Sequence, residues 1–134
     1  MSNRTTNTEQ AVELLKELIS IERVSRNEKN AADIVYNWFT GHNYTPERIC
    51  NNIICKSHYW NDNKPTILLN SHIDTVKPVS AWTKNPFEPI VEDGKLYGLG
   101  SNDAGASLVS LMHTFCNLDK VEQRSDYKYI IDRV

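Results

Sequence analysis

One segment limits the fold more than any other: Thr66-Ile67-Leu68-Leu69-Asn70-Ser71-His72. Its opening run of apolar and β-branched residues fits a strand buried on both faces, as in a sheet sandwiched by helices. Polar residues follow at once, in Asn70-Ser71-His72-Ile73-Asp74. In α/β sheets, sites are built outside the carboxyl ends of such strands. The chain therefore reads as an α/β fold, and the end of this strand is the first place to look for chemistry.

The flanking segments supply the layers. Ala11, Leu14, Leu15 and Leu18 fall at helical spacing, opposite Glu13, Lys16 and Glu17, which predicts a helix over about residues 8–21. A second helix has Ser25 or Asn27 as its cap, Ala31, Ile34, Val35 and Trp38 on its buried side, and Gly41 at its end. Residues 43–46 make a turn, 53–58 a strand and 61–64 another turn. Ile90-Val91 and Lys95-Leu96-Tyr97 flank Glu92-Asp93-Gly94 as a hairpin. Leu108, Leu111, Met112 and Phe115 mark a helix over residues 105–117, and residues 127–131 read as a last strand. Helices alternating with strands give a mixed sheet sandwiched by helices.

Composition narrows the function classes. The chain has 134 residues, enough for one domain with its own core. A net charge of −2 suggests no nucleic-acid partner. Residues 1–10 are polar and lack the apolar run of a secretory signal, and no stretch approaches the roughly 18 apolar residues of a membrane helix. Cys50, Cys55 and Cys116 are odd in number and match no zinc-knuckle spacing, so reduced thiols in a cytoplasmic protein are the simplest reading.

Two segments carry candidate chemistry. On an extended backbone, residues two apart point the same way, so His72 and Asp74 can face one site. A metal-binding histidine usually donates its second ring N–H to a carboxylate or carbonyl, and Asp74 is placed to accept it. The plain alternative is a surface histidine and a turn aspartate. The second segment is Gly98-Leu99-Gly100-Ser101-Asn102-Asp103-Ala104-Gly105-Ala106. Asp103 at a loop–helix junction can offer both oxygens, which suits a carboxylate bridging two metal ions about 3.5–4 Å apart. A dinucleotide loop is the competing reading, but Asp103 stands at the third glycine position, where it would repel a pyrophosphate. A helix N-cap at Asn102 or Asp103 is the structural reading and is compatible with a metal role.

His72-x-Asp74-x-Val76, Trp82-x-x-x-Pro86-Phe87, Gly94 and Tyr97-Gly98-x-Gly100-x-x-Asp103, in this order and spacing, resemble the M20 metallopeptidase family. That family includes acetylornithine deacetylase, succinyl-diaminopimelate desuccinylase, aminoacylase and bacterial glutamate carboxypeptidase. The wording around residues 70–79 and 101–107 looks most like the acetylornithine deacetylase branch, which includes enzymes acting on N-succinylornithine. The resemblance implies a partial catalytic domain of a zinc-peptidase-like fold, two zinc ions (cobalt as a substitute), His72 as a zinc ligand, Asp74 as the residue supporting catalysis beside it and Asp103 as the bridging carboxylate. It also implies a peptide bond after Asp103 that is often cis. Leu99 where many members have Arg, and Ala104-Gly105-Ala106 for a common Met-Lys-Gly, are departures that remove no metal ligand.

The implied reaction is hydrolysis of the amide bond of an N-acyl amino acid, in arginine biosynthesis, by a cytoplasmic enzyme that is a homodimer when complete. The family's Glu-Glu pair, its later Asp or Glu and His ligands and its dimerisation domain have no counterpart here. Glu122 does not match the motif, and His42, His58 and His113 match no ligand position. Residues 1–134 are therefore expected to be the N-terminal part of the catalytic domain and inactive alone. The alternative is a non-catalytic remnant or partner-binding fragment. A stop codon after Val134 would favour that alternative, and a downstream Glu-Glu pair would favour the enzyme.

Overall fold

The computed structural model describes residues 6–121 and 128–133. Helix α1 spans Asn7–Ile19. Its start is fixed by a capping box: the Thr6 hydroxyl accepts the Glu9 N–H at 3.2 Å and the Glu9 carboxylate accepts the Thr6 N–H at 2.7 Å. Leu14, Leu15, Leu18 and Ile19 form its buried side. Helix α2 spans Lys29–Gly41 and buries Ala31, Ala32, Val35 and Phe39, while Ile34 and Trp38 are only partly covered. No side chain caps α2. Its cap position is Glu28, so the expected cap at Ser25 or Asn27 is corrected: the Ser25 hydroxyl is engaged elsewhere, as described below.

Strands β1 (Glu47–Ile49) and β2 (Asn52–Lys56) form an antiparallel pair. Strand β3 spans Thr66–Ser71. Strands β4 (Ile90–Glu92) and β5 (Lys95–Tyr97) form the expected hairpin. Its turn residues Asp93 and Gly94 take positive φ values of 52° and 72°, the backbone that an Asp-Gly turn supplies. Helix α3 spans Ser107–Asp119 and strand β6 spans Lys128–Arg133. Tyr127, at the expected start of that strand, lies outside the described residues, as does Glu122.

The main sheet has the order β1-β2-β6-β3, with β3 parallel to β6 and the other pairs antiparallel. This is the expected mixed sheet with helices packed against it. One contiguous core joins the buried residues of α1, α2 and α3 to Ile53 and Cys55 of β2. Phe39 and Phe115 meet edge to face at 5.9 Å between ring centroids. Burying a side chain of this size contributes about 1.5–3 kcal/mol.

Strand β3 departs from expectation. It is an edge strand and is not buried on both faces. Helix α3 lies against it, and Leu69 and Ser71 are partly covered. Thr66, Leu68 and Asn70 point to the opposite, open face, with Leu68 57% exposed. An apolar run is buried on a face only where another layer covers it, and none of the described elements covers this one.

Candidate metal centre

His72 comes directly after the last residue of β3, and Asp74 two positions further on. Asp103 sits in the turn Ser101–Ala106 between β5 and α3. Helical dihedrals break at Asp103 and Ala104, with φ of −113° and −121°, and the peptide bond between them is cis. The cap position of α3 is Ala106, which makes no side-chain capping bond, so Asn102 and Asp103 are not its N-cap. The break turns the Asp103 carboxylate out of the helix start; its side chain is 87% exposed.

The three predicted residues meet. His72 Nδ1 lies 3.1 Å from both the carboxylate Oδ1 and the carbonyl oxygen of Asp74. Both are acceptors, so these partners assign the ring proton to Nδ1. His72 Nε2 lies 3.1 Å from Asp103 Oδ1. With the proton on Nδ1, a nitrogen lone pair and a carboxylate oxygen face each other. Such a pair needs positive charge between them, from a second ring proton or from a metal ion. Neutral imidazole backed by a carboxylate, with a second carboxylate opposite, is a donor set that fits zinc. Among the described residues no group of three or more His, Cys, Asp or Glu side chains is gathered for a metal, so the set is a partial one.

Ser25 extends the chain of contacts: its hydroxyl donates to Asp74 Oδ2 at 2.5 Å. This bond, followed by the neighbouring His72, holds the Asp74 carboxyl below its ordinary pKa. Ser25 is brought there by a short parallel bridge between Val24 and Thr75, with Thr75 N–H donating to the Arg23 carbonyl at 2.8 Å and Ser25 N–H to the Thr75 carbonyl at 3.2 Å. A cleft of about 440 Å³ has Ser25, His72, Asp74, Trp82, Leu99 and Asp103 in its lining, together with other residues of the 98–102 loop.

Two features were missed in the sequence. Ser25 looked like a helix cap because it precedes α2, and nothing local ties it to Asp74. Arg23 lies in Ile21-Glu22-Arg23-Val24, where nothing local marks it for burial, and is only 1% exposed. Burial pushes its guanidinium down to about 10, and the nearby Asp74 carboxylate opposes that shift. The glycines that suggested a phosphate loop have a different use here. Gly100 has φ of 75°, and a Cβ there would come within 2.6 Å of Arg23 Nη2 and 2.5 Å of Thr75 Cγ2. The other histidines make local contacts: His42 stacks on Trp38, His58 stacks on Tyr44, and His113 Nδ1 lies 2.9 Å from the Val109 carbonyl.

The profile of peptidase family M20/M25/M40 matches residues 68–131, the stretch that holds all three. Over those residues the chain is similar to the M20 peptidase family. An uncharacterized metallohydrolase of Methanocaldococcus jannaschii is 43% identical over 61 residues, 44% of this chain and 14% of that protein. Succinyl-diaminopimelate desuccinylase of Wolbachia pipientis is 28% identical over 111 residues, 80% of this chain and 28% of that enzyme. Solved M20 structures share the fold. A metallo-carboxypeptidase from Sulfolobus solfataricus superposes with a TM-score of 0.66 at 15% identity, over 99% of this chain and 30% of its own. A Bacillus subtilis protein described as a dinuclear metal-binding peptidase gives 0.62 at 15%, over 93% of this chain and 35% of its own. The chain thus spans about a third or less of the length of these relatives and structural neighbours.

Proposed function

We propose that this chain carries the first metal-binding residues of a zinc-dependent amidohydrolase that cleaves the amide bond of an N-acyl amino acid. One observation carries the reading: His72 Nε2 and Asp103 Oδ1 face each other at 3.1 Å in one cleft, with Asp74 behind the ring. In this reading His72 and Asp103 would hold the metal, and Asp74 fixes the imidazole tautomer. Two bound zinc ions, with cobalt as a substitute, would supply Lewis-acid polarisation of the acyl carbonyl and acidify a water. Asp74 holds the proton on His72 Nδ1 and so keeps Nε2 free to bind. Trp82 and Leu99 add apolar groups to the cleft's lining.

The name of the Wolbachia relative supports an N-succinyl amino acid as substrate. The sequence wording supports N-acetylornithine or N-succinylornithine, and with it a place in arginine biosynthesis. Residues 1–134 would form the N-terminal part of the catalytic domain of a homodimeric enzyme, with the remaining ligands and the general base on further chain. The cleft's described lining holds no Glu to act as that base. The purified 134-residue chain is therefore expected to show no hydrolysis of N-acetylornithine or N-succinylornithine above background with excess zinc or cobalt. Loss of a general base alone removes about 10²–10⁴-fold. Turnover within about tenfold of a full-length relative would contradict the assignment of the base to further chain. The coding sequence beyond Val134 should supply the Glu-Glu pair in frame.

A further inference from the structure

The buried Arg23 has no part in the reading above, and its contacts are specific. Nη1 donates to the Ile73 carbonyl at 2.9 Å, and Ile73 is the residue between His72 and Asp74. Nη2 donates to the Gly100 carbonyl at 3.1 Å. That carbonyl also accepts the Gly105 N–H at 2.9 Å, which closes the loop from which Asp103 projects. A single planar guanidinium thus bonds both loops that carry the metal pair. Its donors have a fixed spacing, so it sets the separation of the two carbonyls as a rigid spacer does. Both ends are constrained: the Ile73 side chain is fully buried, and the Gly100 backbone leaves no room for a Cβ beside the guanidinium.

Stability alone does not account for a charge in this place. Arg23 Nε is buried and has no hydrogen-bond partner among the described residues. A buried cation with an unsatisfied donor is costly. Methionine would fill much of the same space without the charge, but would leave the Ile73 carbonyl without its donor.

We propose that Arg23 is a positioning residue of the metal cleft: it holds the Ile73 and Gly100 carbonyls at the spacing that brings His72 Nε2 and Asp103 to one metal ion. This rests on the metal reading of the cleft. Arg23 touches neither metal nor substrate and acts through the two loops.

The test compares R23M and R23K with the native 134-residue chain. Three quantities are read: urea unfolding, the His72 ring ¹⁵N resonances, and the Co²⁺ dissociation constant from visible absorption. R23M is expected to fold with some loss of stability, because the Ile73 carbonyl loses its donor, and to shift the His72 ring resonances. It should weaken Co²⁺ binding by about 10–100-fold, the usual effect of losing a group that orients metal ligands. R23K, which keeps the charge without the fixed fork, should fall between the two. A folded R23M with unchanged His72 resonances and unchanged Co²⁺ affinity overturns the proposal. A native chain that binds no Co²⁺ overturns metal binding by His72 and Asp103 in this chain instead, and the metal-free His72 resonances then decide Arg23. If R23M does not fold, R23K carries the same readouts. If neither folds, the Arg23 Nη signals of the native chain decide: they should be resolved and protected from exchange, and rapid exchange overturns the proposal.

Discussion

Replacing Asp119 with alanine should cost this chain a large part of its stability. Asp119 is the last residue of α3, and its side chain is only 2% exposed. Its carboxylate accepts the Tyr44 hydroxyl at 2.7 Å and the His58 backbone N–H at 3.1 and 3.2 Å. One carboxylate thus ties the end of α3 to the loop after α2 and to the end of β2. Burial, then the bond to Asp119, keeps the Tyr44 phenol protonated, far above its ordinary range. A hydrogen bond to a charged group contributes about 1.5–3 kcal/mol, and a buried donor left without a partner costs about 1–3 kcal/mol. The His58 ring also approaches Asp119, at 3.0 Å, but it is half exposed and adds little after screening. D119A should therefore lose about 3–5 kcal/mol, out of the roughly 5–15 kcal/mol typical of a domain. D119N keeps an acceptor for Tyr44 and should lose about half as much. Urea unfolding at neutral pH, with Y44F and the double variant, closes a thermodynamic cycle. A loss below about 1 kcal/mol for D119A, or no coupling between Tyr44 and Asp119, would refute the reasoning.

Two further outcomes follow from the same geometry. Leu68 is 57% exposed and Ile67 37% exposed on edge strand β3, where full burial of one such side chain is worth about 1.5–3 kcal/mol; the chain should associate at micromolar concentration in sedimentation equilibrium, L68K should weaken that association about tenfold for each 1.4 kcal/mol removed, and a monodisperse native monomer with one sharp unfolding transition would contradict this. Burial pushes the Cys55 and Cys116 thiols up to about 12 and about 11, whereas Cys50 is exposed; a disulfide-exchange reagent at pH 8 should modify Cys50 rapidly and the other two only on unfolding, and equal rates for all three would show that the core is open.

Local chemistry was legible in the sequence and long-range burial was not. Asp93-Gly94 between two short β-rich runs is a complete hairpin signal, because the turn geometry is set by those two residues alone. Helix α1 was legible from Leu14, Leu15 and Leu18, and its true start was also written in Thr6-x-x-Glu9. Ser25 shows the limit. A serine before a helix satisfies the capping rule equally well whether it bonds the helix or reaches Asp74, and only the packing of the chain decides between them. Burial of β3 on two faces failed for the same reason, since burial depends on what covers a strand and not on the strand. Arg23 was invisible because a buried arginine is defined by the carbonyls of residues 73 and 100, which lie 50 and 77 positions away. By contrast, the meeting of His72, Asp74 and Asp103 was expected from a strand end and a loop–helix junction, places where α/β folds concentrate polar groups.

The central claim is that His72 and Asp103 bind one metal ion together. The most direct measurement is anomalous diffraction at the zinc edge from crystals of this chain grown with zinc. The account predicts a peak within bonding distance of both His72 Nε2 and an Asp103 carboxylate oxygen, absent from H72A crystals grown the same way. A zinc peak at other side chains, with His72 and Asp103 still in contact and metal-free, would contradict it.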